Sequence, residues 1–246
     1  MSPPLILALP SKGRLKEQVE IWLAKSGLVL KATGGARGYS AALDGIDGIE
    51  VRLLSAGMIA AALDTGDVHL GVTGEDLLRE RGEVAMGRVH LIAALGFGHA
   101  DVVVAAPESW IDVSTMDDVD DVAHAYLART GERIRVATKY LNITRTFFAA
   151  RGVGDYRIVM SDGATEGAPA QGLAELIVDI TTTGATLAAN NLRILDDGAV
   201  LRSQSNLAMS LSADWTQEQR RRCESLLTRI GLSLPLTDEL MRTIST

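Results

Sequence analysis

The residues best suited to chemistry lie in Leu176 to Leu187, which reads LIVDITTTGATL. An apolar run delivers Asp179 at its carboxyl end, and threonines, a glycine and an alanine follow. Gly184 permits a tight turn, and small neighbours such as Ala185 let backbone N–H groups approach an anion. The hydroxyls of Thr182, Thr183 and Thr186 add donors around it. An acid just ahead of such a loop can accept hydrogen bonds from sugar hydroxyls, so the segment suits a ribose 5-phosphate. The plain alternative is a polar turn capped by threonine. The loop is not a Walker A sequence, having no Gly-Lys-Ser/Thr ending, and it is not a dinucleotide fingerprint.

Lys12 and Arg14 form a second candidate. They flank Gly13 in the turn that follows the first apolar run, where α/β proteins bind ligands, and they suit polyphosphate oxygens. A solvated strand–helix turn is the alternative. Arg37, in the glycine-rich stretch Gly34 to Gly38, could meet an anion or a base edge, or belong to an open loop. Gly74 and Asp76 occupy another loop at a strand end, where Asp76 could accept from an amino group or cap a helix. Glu166 sits among small residues in Ser161 to Pro169, as part of a pocket floor or as a capping-box partner.

No nucleophilic arrangement accompanies these residues. The single cysteine, Cys223, falls on an amphipathic segment and reads as core. The four histidines form no HxH or HExxH pattern, so no protein-ligated metal is expected. There is no Gly-x-Ser-x-Gly elbow. Asp117 to Asp121 reads as a solvated helix start, where acids suit the dipole. Chemistry without a nucleophile or a metal cage points to transfer between bound phosphorylated substrates, driven by positioning and electrostatics.

The elements that must position these residues alternate. Leu5 to Leu9 reads as a buried strand stopped by Pro10, and Leu15, Val19, Trp22 and Leu23 recur at helical spacing. Ile49 to Leu53, Val68 to Val72, Asp101 to Ala106, Arg133 to Ala137, Arg157 to Met160 and Leu176 to Ile180 read as further strands. Helices are expected at 142–151, 164–173 and 215–230. Leu192–Leu195 and Ala199–Leu201 flank an Asp-Asp-Gly turn, a hairpin or bend. Apolar strands alternating with helices define an α/β protein with largely parallel sheets.

Composition narrows the class. The 246 residues, 47% hydrophobic and 22% charged, can build a sizeable core. A net charge of −7 argues against non-specific nucleic-acid binding. One cysteine excludes an internal disulfide. No apolar stretch approaches a membrane span, and the first residues carry no secretion signal, so a cytoplasmic protein without membrane or nucleic-acid partners is expected.

Five stretches, in order, resemble the ATP phosphoribosyltransferases of histidine biosynthesis: Leu9 to Leu15, Leu70 to Leu78, Gly96 to Gly98, Val136 to Arg145, and Leu176 to Asn190. The resemblance covers nearly the whole chain. It implies two α/β domains in a periplasmic-binding-protein-like (type II) fold with an interdomain cleft. Residues 1–92 and 186–246 would form the first domain, and 93–185 the inserted second. It also implies transfer of the phosphoribosyl group of phosphoribosyl diphosphate to N1 of ATP. Mg²⁺ would be held mainly by substrate phosphates. Thr182, Thr183, Gly184, Ala185 and Thr186 would grip the 5-phosphate, and Asp179 the ribose hydroxyls. Lys12 and Arg14 would face the diphosphate or the ATP phosphates, with Arg37, Gly74 and Asp76 on the nucleotide side. Lys139, Tyr140, Asn142, Thr144 and Arg145 would line the cleft or an interface.

Two departures stand out. Ala185 replaces a threonine common in relatives and drops one hydroxyl, while its backbone N–H remains. Ser55-Ala56-Gly57-Met58 carries no cation where many relatives have an arginine. The chain length resembles the short form of the family, which implies a homodimer alone and a hetero-octamer with a regulatory histidyl-tRNA-synthetase-like subunit. A non-enzymatic ligand-binding protein or an inactive regulatory paralogue of the same fold is the alternative function.

Overall fold

The computed structural model describes residues 3–32 and 40–232. The chain divides into two units, Met1–Gly98 with Gln204–Thr246, and His99–Ser203.

The first unit is built on a seven-stranded sheet. β1 (Leu5–Pro10) lies between β4 (Ile49–Leu54) and β5 (Leu70–Gly74), parallel to both. β2 (Val29–Ala32) and β3 (Ser40–Asp44) extend one side, in the order β2-β3-β4. β12 (Ser205–Ser210), antiparallel to β5, and β6 (Val89–Ala94) extend the other. Alternation along β1 shows why helices cover both faces. Leu5, Leu7 and Leu9 pack with Val19 and Leu23 of α1 (Gly13–Ala24) and with Cys223, Leu226 and Leu227 of α8 (Gln217–Arg229). Ala8, pointing the other way, packs with Ile59 and Leu63 of α2 (Ala56–Thr65) and Leu78 of α3 (Glu75–Glu80). A short α4 (Glu83–Met86) leads into β6.

The second unit is built on a five-stranded sheet with the order β11-β7-β10-β8-β9. The ranges are β7 (Ala100–Pro107), β8 (Ile134–Thr138), β9 (Tyr156–Met160), β10 (Leu176–Thr181) and β11 (Leu192–Ser203). β8, β9 and β10 are parallel, and β7 runs against both β10 and β11. One face packs Val102, Val104 and Val178 against Met116 and Val119 of α5 (Met116–Thr130) and Phe148 of α6 (Leu141–Ala150). The acidic run does start α5, where Thr115 and Asp118 form a capping box. The opposite face has smaller residues, Val103, Ala105, Ala137 and Ile177. It is covered by a 3₁₀ turn at Thr165–Gly167 and by α7 (Ala185–Ala189).

Two expectations are corrected. The return to the first unit comes at Gln204 rather than at 186, because α7 packs on the second sheet and β11 pairs along β7 from Leu192 to Ser203. Likewise the outward crossing is at 98/99, not 92/93. Residues 164–173 form one 3₁₀ turn instead of a helix, since Gly167, Pro169 and Gly172 interrupt it. Of the two alternatives for the Asp196-Asp197-Gly198 segment, hairpin or bend, the structure has the bend, within β11 and with a register shift between Ile194 and Ala199.

Candidate functional site

The second unit places its acid by strand register. β8 and β10 run in parallel with Val178 opposite Thr138, so Asp179 and Lys139 leave the carboxyl ends of adjacent strands side by side. Asp179 is 8% exposed. Its Oδ1 accepts the N–H of Ile180 at 2.8 Å and lies 3.4 Å from Lys139 Nζ.

The loop beyond Asp179 is closed by its own hydroxyls. Thr181 Oγ1 accepts the N–H of Gly184 at 2.8 Å, and the Thr182 hydroxyl donates to the His99 carbonyl at 3.4 Å. Gly184 turns the chain with φ +73° and caps α7. The Ala185 N–H points at Thr183 Oγ1, 3.4 Å away, so the missing threonine hydroxyl leaves this backbone donor in place. Asp179, Thr181, Thr182, Thr183, Thr186 and Glu166 line one cavity of about 370 Å³. Glu166 reaches it from the 3₁₀ turn, whose position is held by the buried Thr165 hydroxyl bonded to Ser161 Oγ at 3.0 Å. Two carboxylates and four threonines therefore share a space with no lysine or arginine in its lining, beside the turn at Gly184 and Ala185. Such a set can bind a sugar phosphate through donors on one side and acceptors on the other.

The first unit presents a different loop. Lys12 is the N-cap of α1 in extended conformation, and Gly13 turns with φ +75°. The Ser11 N–H donates to Leu54 O at 2.8 Å and anchors the turn to β4. Lys12 and Arg14 are exposed and form no ion pair among the described residues. Ser55, in the stretch where the resemblance implies an arginine and this chain has none, caps α2 by accepting the Met58 N–H at 3.3 Å. Arg52 does not stand in for that cation, as it bonds Glu50 Oε1 and Asp67 O, both at 3.0 Å.

Asp76 is 4% exposed and folds back on its own strand end, so that a Cβ at Gly74 would collide with Asp76 Oδ1. This position makes Asp76 part of the first unit's interior, at the start of α3. Arg37 lies outside the described residues. Tyr140, Ile143 and Thr144 are buried at the start of α6. Sequence reasoning passed over Thr181, the residue that closes the loop, and left Lys139 without a partner. No sequence signal could have paired Lys139 with Asp179, because the register between β8 and β10 is a tertiary property.

The remaining reactive groups are structural. Cys223 is buried and burial pushes its thiol up to about 12. His69 is buried, accepts the Ile6 N–H on Nδ1 at 3.1 Å, and faces Asp214 O with Nε2 at 3.2 Å. Among the described residues no three His, Cys, Asp or Glu side chains gather as a metal cage. No helix among them is long and apolar enough to cross a membrane.

The HisG family model, described as ATP phosphoribosyltransferase, matches residues 56–231. An ATP phosphoribosyltransferase of Caulobacter vibrioides is 67% identical over 228 residues, covering 93% of this chain and 71% of that protein. One from Rhodopseudomonas palustris is 60% identical over 231 residues, covering 94% and 71%. Among solved structures, the ATP phosphoribosyl transferase (HisG:HisZ) complex from Thermotoga maritima matches with a TM-score of 0.68 at 25% identity, over 97% of this chain and 98% of that one. A histidine kinase sensor domain with similarity to periplasmic binding proteins matches with a TM-score of 0.50 at 12% identity, over 98% and 94%, and supports the fold alone.

Proposed function

The chain belongs to the ATP phosphoribosyltransferase family, and from that premise we propose how its residues divide the work of the reaction. The enzyme transfers the 5-phosphoribosyl group of phosphoribosyl diphosphate to N1 of ATP and releases pyrophosphate. In the proposed arrangement the 5-phosphate sits against the turn Thr182, Thr183, Gly184, Ala185 and Thr186, and Asp179 accepts from the ribose hydroxyls. The observation that carries this is the shared cavity, where an acid at a strand end and a hydroxyl-lined glycine turn meet. Glu166, on the same lining, is the second acceptor.

N1 of adenine has a lone pair and needs no strong base to attack C1. The C1–N1 bond forms as the bond from C1 to the diphosphate oxygen breaks, and the electron pair leaves with pyrophosphate. Charge of oxocarbenium type develops at C1, and fixed donors and acceptors around the ribose cost no reorganisation at that moment. Asp179 and Glu166 supply negative charge on the ribose side. Lys12 and Arg14 are the proposed partners of the diphosphate or of the ATP phosphates.

A Mg²⁺ ion bound to the diphosphate would neutralise the leaving group. The donor set fits, because this ion takes one or two carboxylates plus substrate oxygens, and Asp179 and Glu166 are the carboxylates of the cavity lining. The Thermotoga structure contains a second chain, HisZ. Its presence supports a hetero-oligomer with a HisZ-like subunit here; a regulatory, histidyl-tRNA-synthetase-like partner in a hetero-octamer, a homodimer when alone and a cytoplasmic location complete the proposal. The two curated relatives are longer than their matched parts, so this reading rests on that complex rather than on chain length.

The test is direct turnover. The purified chain is mixed with ATP, phosphoribosyl diphosphate, Mg²⁺ and pyrophosphatase, and phosphoribosyl-ATP is followed by ultraviolet absorbance with and without the partner. Product is expected in at least one mixture, and its loss on adding EDTA supports the Mg²⁺ role. Folded protein giving no product in either mixture would overturn the assignment for this chain.

A further inference from the structure

We propose that Lys139 is a positioning residue that acts on phosphoribosyl diphosphate through Asp179. The inference rests on the ribose role given to Asp179 above, and it adds what prepares that carboxylate for an anionic substrate. Three observations carry it. First, register places the pair: Thr138 and Val178 are opposed in parallel strands, and the next residue on each is Lys139 and Asp179. Second, Lys139 leaves its strand from a fixed turn. The buried Thr138 hydroxyl accepts the Tyr140 N–H at 2.9 Å, and the Ser161 N–H donates to Thr138 O at 3.1 Å. The ammonium also lies 5.6 Å from the centre of the buried Tyr140 ring, a second attraction that favours this rotamer.

Third, the ammonium and the Ile180 N–H meet the same carboxylate oxygen, Oδ1. The carboxyl plane is thereby set by two donors, leaving Oδ2 as the acceptor for ribose. Charge supplies the reason for a cation here. Asp179 and Glu166 line a cavity that has no lysine or arginine of its own and must admit a polyanion. An uncompensated carboxylate would repel that substrate, and Lys139, which is not among the lining residues, offsets the charge at Oδ1. The lysine is half exposed, so its role is not that of a core residue.

A double-mutant cycle reads this out. Lys139→Met is expected to raise KM for phosphoribosyl diphosphate on the order of tenfold, as for one lost charge-assisted contact, with kcat changed less than about threefold. Lys139→Arg should restore most of the loss. In an Asp179→Asn background, which keeps the shape and removes the charge, Lys139→Met should change KM by less than about threefold, since nothing remains to orient or neutralise. Calorimetric binding of phosphoribosyl diphosphate gives the same cycle where turnover is slow. An equal penalty in both backgrounds means that Lys139 touches substrate itself, and it overturns the proposal while leaving the ribose role of Asp179 intact. Unchanged KM and kcat in Asp179→Asn alone remove that role, and the positioning role with it.

Discussion

Gly13 and Gly184 stand at the same point of two strand–turn–helix units and turn the chain with nearly the same φ, +75° and +73°. Around this shared backbone device the chemistry is opposite. Lys12 and Arg14 make the first turn cationic, exposed and free of ion pairs among the described residues. The second has hydroxyls and N–H groups, with a carboxylate at its entrance and no cation in its lining. An anion is drawn to the first turn by charge, which acts at long range and is screened by salt. At the second it is recognised by oriented donors, which act only at contact. A pocket that must tell a ribose 5-phosphate from other anions needs the second kind, since charge alone does not read shape.

The largest expected effect tests whether the second turn is the specific one. Asp179→Ala removes acceptors for ribose hydroxyls, each contact to a charged group being worth about 1.5–3 kcal/mol, or roughly tenfold to a hundredfold in rate. Steady-state kinetics should show kcat/KM down on the order of a hundredfold, with the melting temperature nearly unchanged. Wild-type kinetics would erase the distinction between the turns.

The next test is a matched pair, Gly13→Ala and Gly184→Ala. A Cβ at Gly13 meets nothing within 4 Å, and at Gly184 the nearest atom is the Ile194 side chain at 3.7 Å. Neither site clashes, so each substitution carries only the strain of positive φ, about 1–2 kcal/mol. Thermal unfolding should therefore report similar small losses. Function should separate them, because strain at Gly184 shifts the turn whose backbone N–H the Thr181 hydroxyl holds. KM for phosphoribosyl diphosphate should rise several-fold in Gly184→Ala and clearly less in Gly13→Ala. Equal rises would mean that both turns contact that substrate alike.

Both turns were visible in the sequence, because apolar runs of strand length ending in glycine and polar residues need only local information. The alternation of strands and helices was equally plain, since Leu5, Leu7 and Leu9 face one core and Ala8 the other. What escaped was set by tertiary pairing. The Asp196–Gly198 segment has the composition of a turn, yet Asp197 accepts the Met116 N–H at 2.9 Å and pairs with Arg151, so the chain continues as β11. That continuation moved the unit boundary to Gln204. Lys139 and Asp179 meet only through the register of two strands forty residues apart in sequence, and periodicity carries no register between strands. Asp76 was expected as an acceptor or a helix cap, and its place in the first turn of α3 is local, whereas its burial depends on the packing around that helix.

Salt gives a smaller contrast. Exposed ion contacts are worth about 0.2–1 kcal/mol each, so the double variant Lys12→Gln/Arg14→Gln should lose roughly threefold to tenfold in affinity for the polyphosphate it meets. Raising ionic strength from about 0.05 to 0.5 M should weaken wild-type binding and leave the double variant almost flat, because the Debye length shrinks below the reach of those side chains. The Asp179→Ala defect should persist across the same range. A double variant as salt-sensitive as the wild type would show that the first turn draws no anion.

Acid should separate the units that carry the two turns. His69, in the first unit, has its pKa lowered from 6.5, chiefly by burial, with Arg52 adding to the effect and Asp214 and Gln219 opposing it. Its neutral ring holds the Ile6 N–H of β1, the strand that feeds Lys12. A histidine whose folded pKa is depressed contributes stability above its unfolded pKa and loses it as pH falls through 6.5 toward the folded value. His124, in the second unit, is exposed and has its pKa raised, first by the Asp120 carbonyl and charge and then by Asp155, so its contribution is complete below 6.5 and fades above it. Lowering pH from about 7.5 to 5.5 should therefore weaken amide-exchange protection in β1 and β5 before β8 and β10. His69→Gln should flatten that response. Protection lost first in the second unit would reverse the assignment of acid sensitivity to the cationic turn's own scaffold.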